Sequence, residues 1–481
     1  MTNHSILEQY APLFMPQTVA VVGASTKGNA LPNVFIRRIR EFGFEGAIYP
    51  IHPSAAEIDG LPAYRTLADT PLPVDYAYIA VSAAQIPGML SAAAGHVRYA
   101  QVISSGFGEV DEGKDLEQQL AAAARAGGMR LLGPNCLGIY TPRGKVTFTE
   151  IGPREVGPVG IASQSGGLGT DIIRRGMGRG LKFSGLITVG NCADLGPSDM
   201  LEFYLADPQT QVIGFYIETA KHGRRLFEIL RAANARKPVV MLKGGRTRQG
   251  LAAAASHTGS LAGDERAWTA LSRQTGCVLV DTLDEFIDAL LIFQTLTPRS
   301  RQPTQRVVLF GNGGGASVLA TDYFARLGLD VTPFGALTLD ALAALKLPPG
   351  TSITNPVDCP VGTLQQEDGR VAERILDVIY EHGNPDALVM HLNLSAFIGR
   401  TKNEVLDNLV QAALRVQEHH PGKAHFVLVL RSDGELTLEE RKREFRDKAV
   451  ALGIPVYDEM SNAGHALAAL QQHERFVHTR R

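Results

Sequence analysis

Cysteine is scarce in this chain: four residues in 481, Cys136, Cys192, Cys277 and Cys359, far apart and without CxxC or CxxH spacing. That scarcity argues against a zinc site or a disulfide framework and suits a reducing cytoplasm. Net charge is nearly absent too. Lys and Arg (47) almost balance Asp and Glu (49), leaving −2, so no general basic surface is available for nucleic acid. No run of about 18 apolar residues occurs, and the N-terminal MTNHSILEQYAPLF lacks a basic-then-apolar signal pattern, so neither a membrane span nor a leader is expected. Low-complexity tails and short repeats are also missing. What remains, 44% hydrophobic and 20% charged, is the composition of a folded globular protein. Its length predicts about three domains of roughly 150 residues each.

Three stretches share one grammar, an apolar run followed by a Gly/Ser turn and a helical pattern. They are VAVVGAS (Val19–Ser25), VGIASQSGG (Val159–Gly167) and VVLFGNGGG (Val307–Gly315). Each reads as a buried parallel strand entering a helix, the opening unit of a doubly wound sheet. Further apolar runs alternate with helical segments: AIYPI, YAYIAV, AQVISS and RLLGP, then GLITVGN, VIGFYIE and PVVMLKG, then ALVMHLN, HFVLVLR and IPVYD. The alternation predicts an α/β fold of three open-sheet domains.

The first turn, GASTKG (Gly23–Gly28), lacks GxGxxG spacing, and Asn29-Ala30 follow where a P-loop needs Lys-Ser/Thr. Its backbone amides can still hold a diphosphate, with Lys27 adding charge; an ordinary structural turn is the competing reading. The second turn, SQSGGLG (Ser163–Gly169), places hydroxyls and glycines at a helix N-terminus, which suits an anion. Its bland reading is a tight turn capped by Ser163. Glu218 ends a buried strand, where a carboxylate usually meets solvent or a loop lysine. Ligands in open α/β sheets, however, bind beyond the carboxyl ends of strands. SQSGG, Gly190-Asn191, Glu218 and the loop after PVVMLKGG all lie at such ends. That last loop carries His257 within ASHTGSLAG, an imidazole among small residues. An exposed, ordinary histidine is the simple reading. Convergence with a carboxylate and an anion site points instead to a phosphorylated imidazole, one nitrogen attacking while Glu218 polarises the other. The third turn GNGGGAS (Gly311–Ser317) and NPVD (Asn355–Asp358) read as mainly structural, and Thr437–Glu444 as a solvated helix face.

Together VAVVGAS, VISSGFGE, LLGPNCLGI, GPVGIASQSGGLG, ITVGNCADL, VIGFYIE, ASHTGSLAG, NGGGASVLATD and NPVD stand in an order that resembles the α part of NDP-forming acyl-CoA synthetases, relatives of succinyl-CoA synthetase. The resemblance runs from about residue 12 to about 470. It implies an N-terminal Rossmann-like CoA-binding domain (1–143), a flavodoxin-like ligase domain with the phosphohistidine loop (152–300) and a second flavodoxin-like ligase domain (301–481). It also implies that His257 is phosphorylated, that Glu218 orients it, and that Ser163, Gln164, Ser165 and Gly166 hold the phosphate. Gly23, Ser25, Lys27, Pro53, Ser104, Ser105, Gly106 and Asn135 fall where the family contacts coenzyme A. Two departures touch the CoA contacts: Ile51-His52-Pro53 stands for the usual Val-Asn-Pro, and Val81-Ser82 for Val-Pro.

The family also needs an ATP-grasp unit, and the chain after residue 305 has no room for one. The expectation is therefore an α subunit that activates a small carboxylic acid in the cytoplasm. A separate ATP-grasp β subunit would hold ATP/ADP and Mg2+, in a hetero-oligomer, with a homodimer as the other possible assembly. No metal is expected on this chain. The alternative is a non-catalytic CoA-binding scaffold that has lost the nucleotide half-reaction. A dehydrogenase fits worst, since Tyr49-Pro50-Ile51-His52 offers no acidic residue after the second strand.

Overall fold

The computed structural model describes residues 3–250, 252, 265–397 and 404–480. His257, with the rest of ASHTGSLAG, lies outside the described residues. The chain divides into two compact units, Met1–Met177 with Leu181–Leu283, and Gly178–Gly180 with Asp284–Arg481. The helix Leu283–Thr295, expected in the second domain, therefore falls almost wholly in the second unit.

Beside a two-stranded antiparallel ribbon, Glu57–Ile58 with Leu61–Pro62, the first unit holds two large sheets. In one, β1 (Thr18–Val22), β2 (Ala47–Ile51), β3 (Val74–Ile79), β4 (Val97–Val102) and β5 (Arg130–Leu132) are parallel, in the order β2-β1-β3-β4-β5. All five β1 residues are buried, as an apolar run covered on both faces must be. Alternation along the strand sends Val19 and Val21 into one core and Ala20 and Val22 into another. In the second sheet, β6 (Ile139–Tyr140), β7 (Val159–Ser163), β8 (Phe183–Thr188), β9 (Val212–Ile217), β10 (Val239–Lys243) and β11 (Val278–Val280) run in the order β11-β10-β9-β7-β8-β6. All are parallel except β6, which pairs antiparallel with β8 through Tyr140 opposite Leu186. Residues 139–140, expected to close the first domain, therefore join the second sheet. One core serves both sheets. Phe14, ending the helix Asn3–Phe14, stacks on Phe203 with ring centroids 3.9 Å apart, and its carbonyl accepts from the Thr141 hydroxyl.

The second unit holds β12 (Val307–Gly311), β13 (Val357–Asp358), β14 (Ala387–Asn393), β15 (His425–Arg431) and β16 (Val456–Tyr457), all parallel, in the order β13-β12-β14-β15-β16. Numbered from its own first parallel strand, each sheet has the flavodoxin-like order 2-1-3-4-5, β6 being an added edge. The expected doubly wound fold is thus present three times. NPVD forms an edge strand rather than only a turn. The buried Asn355 amide accepts from Leu309 N and donates to the Val307 and Thr332 carbonyls. The charge run lies on the helix Leu436–Ala451, but its Lys442 is buried and bonded to Asp458 at 3.0 Å, with Arg446 beside it at 2.5 Å. This face is therefore not wholly solvated: Asp458, outside the helix, pairs with both cations. Among the described residues no helix is long and apolar enough to cross a membrane.

Asp386, 1% exposed just before β14, is the polar anchor of this unit. Its carboxylate accepts from the amides of Gln305 and Arg306 and from the side chains of Gln302 and Arg299. Removing one partner of a buried ion pair strands the rest, so Asp386→Ala is expected to cost about 3–5 kcal/mol. Urea unfolding followed by circular dichroism measures this, and an unshifted transition would contradict the role given to Asp386.

Candidate active site

The second sheet's first parallel strand, β7, ends at Ser163, and after two intervening residues the helix Gly166–Gly178 begins. Ser163 is buried: its hydroxyl donates to the Ser165 carbonyl (2.7 Å) and accepts from the Ser165 amide. The cap is Ser165, whose Oγ accepts from Leu168 N at 3.3 Å, and not Ser163. Only a hydroxyl directly before the first helical residue reaches the third amide of the helix. The amides of Gly166 and Gly167 meet no acceptor among the described residues. They are the positive end of a 13-residue helix. A Cβ on Gly166 would lie 2.7 Å from Leu137 Cγ, so glycine there lets the helix start approach the loop after β5, whereas Gly167 faces open space.

Gln164 differs from expectation. Its side-chain oxygen accepts from the amides of Glu218 (2.5 Å) and Thr219 (2.8 Å), and its nitrogen donates to the Thr219 carbonyl (2.9 Å). The side chain is therefore a clasp between the ends of β7 and β9, not a group directed at a phosphate. What it holds is Glu218, which is 8% exposed. One Glu218 oxygen, Oε1, accepts from the Tyr216 hydroxyl at 3.0 Å, while Oε2 has no protein partner among the described residues. Burial and this carboxylate push the Tyr216 phenol well above its usual pKa, so it stays a donor. Lys243, ending β10, donates to the Glu218 carbonyl at 2.9 Å and lies over the Trp268 ring. Burial holds its pKa below the usual range. A cavity of about 390 Å³ is bordered by Glu218, Ser165, Gly166, Gly167, Asn191 and Asn135. SQSGG and Glu218, both singled out from sequence, thus open on one space.

Asn191 supports this space in a way the sequence did not signal. Its amide donates to Glu109 (2.5 Å) and Glu117 (2.8 Å), which lie between β4 and β5 of the first sheet. Burial works upward on Glu109, but the hydrogen bonds from Asn191, Gly106 and Phe107 hold its carboxyl below the ordinary value. The Gly106 amide is taken by Glu109 and is not open to a ligand phosphate.

The remaining expected residues line the carboxyl ends of the first sheet. Gly23 has φ +97°, and a Cβ there would sit 2.4 Å from the Ala80 carbonyl oxygen, so only glycine lets this turn meet the loop after β3. The Ser25 amide donates to Asn33 Oδ1 (2.7 Å), and its hydroxyl accepts from Lys27 N. Asn33, fully buried, also reaches the Ser25 carbonyl and Asp59 and was missed from sequence. His52 Nδ1 accepts from Ser54 and Ala55 amides, shaping the loop that exposes Pro53. Ser104 Oγ donates to the Val81 carbonyl, Ser105 is exposed, and the Asn135 amide donates to the Ser104 carbonyl. Lys27 has no partner for its ammonium among the described residues. An unpaired cation beside open loops at a topological switch point fits an extended anionic ligand. No thiol competes: burial pushes Cys136, Cys277 and Cys359 up to about 12 and Cys192 to about 11. Among the described residues no group of three or more His, Cys, Asp or Glu side chains is placed to hold a metal ion.

Comparison with known proteins adds independent findings. Residues 17–142 match the family described as CoA binding domain, and residues 156–293 the succinyl-CoA ligase like flavodoxin domain. The α subunit of acetate–CoA ligase [ADP-forming] I of Pyrococcus furiosus is 35% identical over 95% of this chain and 96% of its own length. The α subunit of that organism's enzyme II is 33% identical over 96% and 98%. A solved structure of the Ca. Korarchaeum cryptofilum dinucleotide forming acetyl-coenzyme A synthetase 1, in complex with phosphate and ADP, superposes with TM-score 0.83. Its identity is 29%, covering 97% of both chains.

The clasp made by Gln164 has a measurable consequence. Gln164→Ala leaves the Glu218 and Thr219 amides without an acceptor, which is expected to cost about 1–3 kcal/mol. Differential scanning calorimetry should show a lowered first transition, and an unchanged one would deny Gln164 its positioning role.

Proposed function

The chain belongs to the family of ADP-forming acetate–CoA ligase α subunits, and from that premise we propose that it is the α subunit of an NDP-forming acyl-CoA synthetase. The reaction is acid + CoA + ATP ⇌ acyl-CoA + ADP + phosphate. His257 receives the γ-phosphoryl group of ATP and passes it to the acid's carboxylate, giving an acyl phosphate and regenerating the imidazole. The CoA thiolate then attacks the acyl carbon, forming the thioester and releasing phosphate.

The observation that carries this reading is the pairing of Glu218 Oε2 with the Gly166 and Gly167 amides across one cavity. The open carboxylate oxygen accepts the N–H of an imidazole whose other nitrogen carries the phosphoryl group. The two amides stabilise the charge in transfer without reorganising. Coenzyme A would lie along Gly23, Ser25, Lys27, Pro53, Ser104, Ser105 and Asn135, with Gly106 contributing surface and not its amide. Lys27 faces its phosphates. The nucleotide and Mg2+ belong to an ATP-grasp β partner, which makes the working enzyme a hetero-oligomer. The acid is a small carboxylate, and the place of work is the cytoplasm, where four free thiols persist.

With the β partner, ATP and Mg2+, intact-mass spectrometry is expected to show one phosphoryl group gained by this chain. His257→Ala should abolish the gain, and Glu218→Gln should slow it by about 100-fold. Full labelling of the alanine variant would overturn the assignment.

A further inference from the structure

Two glutamates gather the loop that follows β4. Glu109 Oε1 accepts from the amides of Gly106 (2.5 Å) and Phe107 (3.2 Å), and Glu117 Oε2 accepts from Gly108 (3.0 Å). Three successive amides are thus held by two carboxylates, one in the loop itself and one on the helix Lys114–Ala126. The fit is close, since a Cβ on Gly108 would lie 2.6 Å from Glu117 Oε2. The same two carboxylates take both protons of the Asn191 side-chain amide. Asn191, in the loop after β8, is in turn fastened to the loop after β5. Its main-chain amide donates to the Pro134 carbonyl at 3.0 Å, and that of Ala193 to the Gly133 carbonyl at 3.0 Å. Lys221, three residues beyond Glu218, reaches Glu117 Oε1 at 3.5 Å. The loop amides, Asn191 and Lys221 together offset the repulsion between two carboxylates that meet at one nitrogen. A polar strut therefore runs from the loop bearing Ser104 and Ser105 to Asn191 in the wall of the main cavity.

Resting on the function proposed above, we infer that Glu109 and Glu117 are positioning residues for the CoA-dependent step. Through Asn191 they set the loop of Ser104 and Ser105 against the start of the helix Gly166–Gly178, and so fix where the CoA thiol meets the acyl phosphate. A displacement of about 1 Å at such a meeting point costs on the order of 100-fold in rate. Phosphorylation of the chain by ATP precedes the arrival of CoA and does not draw on the strut. The sign of the effect separates positioning from charge. CoA is a polyanion, so by Coulomb's law alone the loss of a nearby carboxylate favours it. Loss of the strut acts the other way, because the loop that carries CoA is no longer held in register with the reacting carbon.

The test uses the complete enzyme with its ATP-grasp partner and the small carboxylic acid it turns over fastest. CoA-dependent ADP release gives kcat/KM for CoA, and intact-mass spectrometry without CoA gives the rate of phosphorylation by ATP. Glu109→Ala and Glu117→Ala should each lower kcat/KM for CoA by about 10–100-fold, with phosphorylation within about twofold of the wild type. Both act through one strut, so the double variant should lose less than the product of the single losses. Glu112→Ala removes the same charge from an exposed neighbour that makes no hydrogen bond among the described residues, and should change neither rate. Glu109→Gln keeps an acceptor for the Gly106 and Phe107 amides but turns an N–H toward Asn191. It spares the fold and should shift kcat/KM for CoA in the same direction by a smaller factor. An unchanged or raised kcat/KM for CoA in the alanine and glutamine variants overturns the inference, as does a phosphorylation rate that falls in step with it. A wild-type chain that gains no phosphoryl group sinks the underlying reaction. A labelled wild type whose CoA kinetics the variants leave unmoved sinks the strut alone.

Discussion

A helix start leaves amides that no carbonyl of its own helix can satisfy. At Gly166 and Gly167 two of them have no acceptor among the described residues, and they stand beyond the carboxyl end of a buried strand. The surrounding arrangement follows from that deficit. Ser165 caps the third amide, so that only the outer two remain open. Gln164, between cap and strand, turns its side chain away to hold the end of β9, which fixes Glu218 opposite the helix start. Negative and positive partial charges thus face one space without touching. A bare carboxylate in bond with the amides would cancel both.

The second unit shows what such cancellation looks like. Its turn Gly311–Gly315 opens a helix of the same length, Gly314–Arg326, after a strand of the same rank. There the Gly313 amide donates to Asp358 at 2.8 Å, and Arg431 donates to the Asn312 carbonyl. His391, fully buried and pushed down to about 3 mainly by burial, stays neutral beside Ser317. The neighbouring strand β13 brings a carboxylate to the turn, so the same topology yields a finished structural joint. Three sheets with one strand order do different work because of single residues at their carboxyl ends.

Much of this was legible in sequence, for a physical reason. Parallel strands covered on both faces are unbroken apolar runs, and most of the main strands, such as β1, β7 and β15, read that way. Edge pieces such as β6, β11 and β13, two or three residues long, offer no period to detect. Glu218 and SQSGG stood out because each interrupts a pattern at a strand end. Asn33, Glu109 and Glu117 did not, since their partners lie across turns or on other elements. The two serines of SQS could not be ranked as caps from spacing alone; the turn geometry chose Ser165. On the helix Leu436–Ala451, nothing local distinguished Lys442, in the charge run, or Arg446, just beyond it, from their solvated neighbours, because Asp458 arrives from beyond the helix.

The four buried thiols acquire meaning once a thioester is considered. An acyl-CoA is an electrophile, and any protein thiolate within reach would capture its acyl group by exchange. Here every cysteine is enclosed and held in its protonated form, from about 11 for Cys192 to about 12 for the others. Cys136 and Cys192 belong to the loops around the main cavity, yet neither ionises near neutrality. The packing that makes these residues look like ordinary core thereby gives the protein immunity to acylation by its own product.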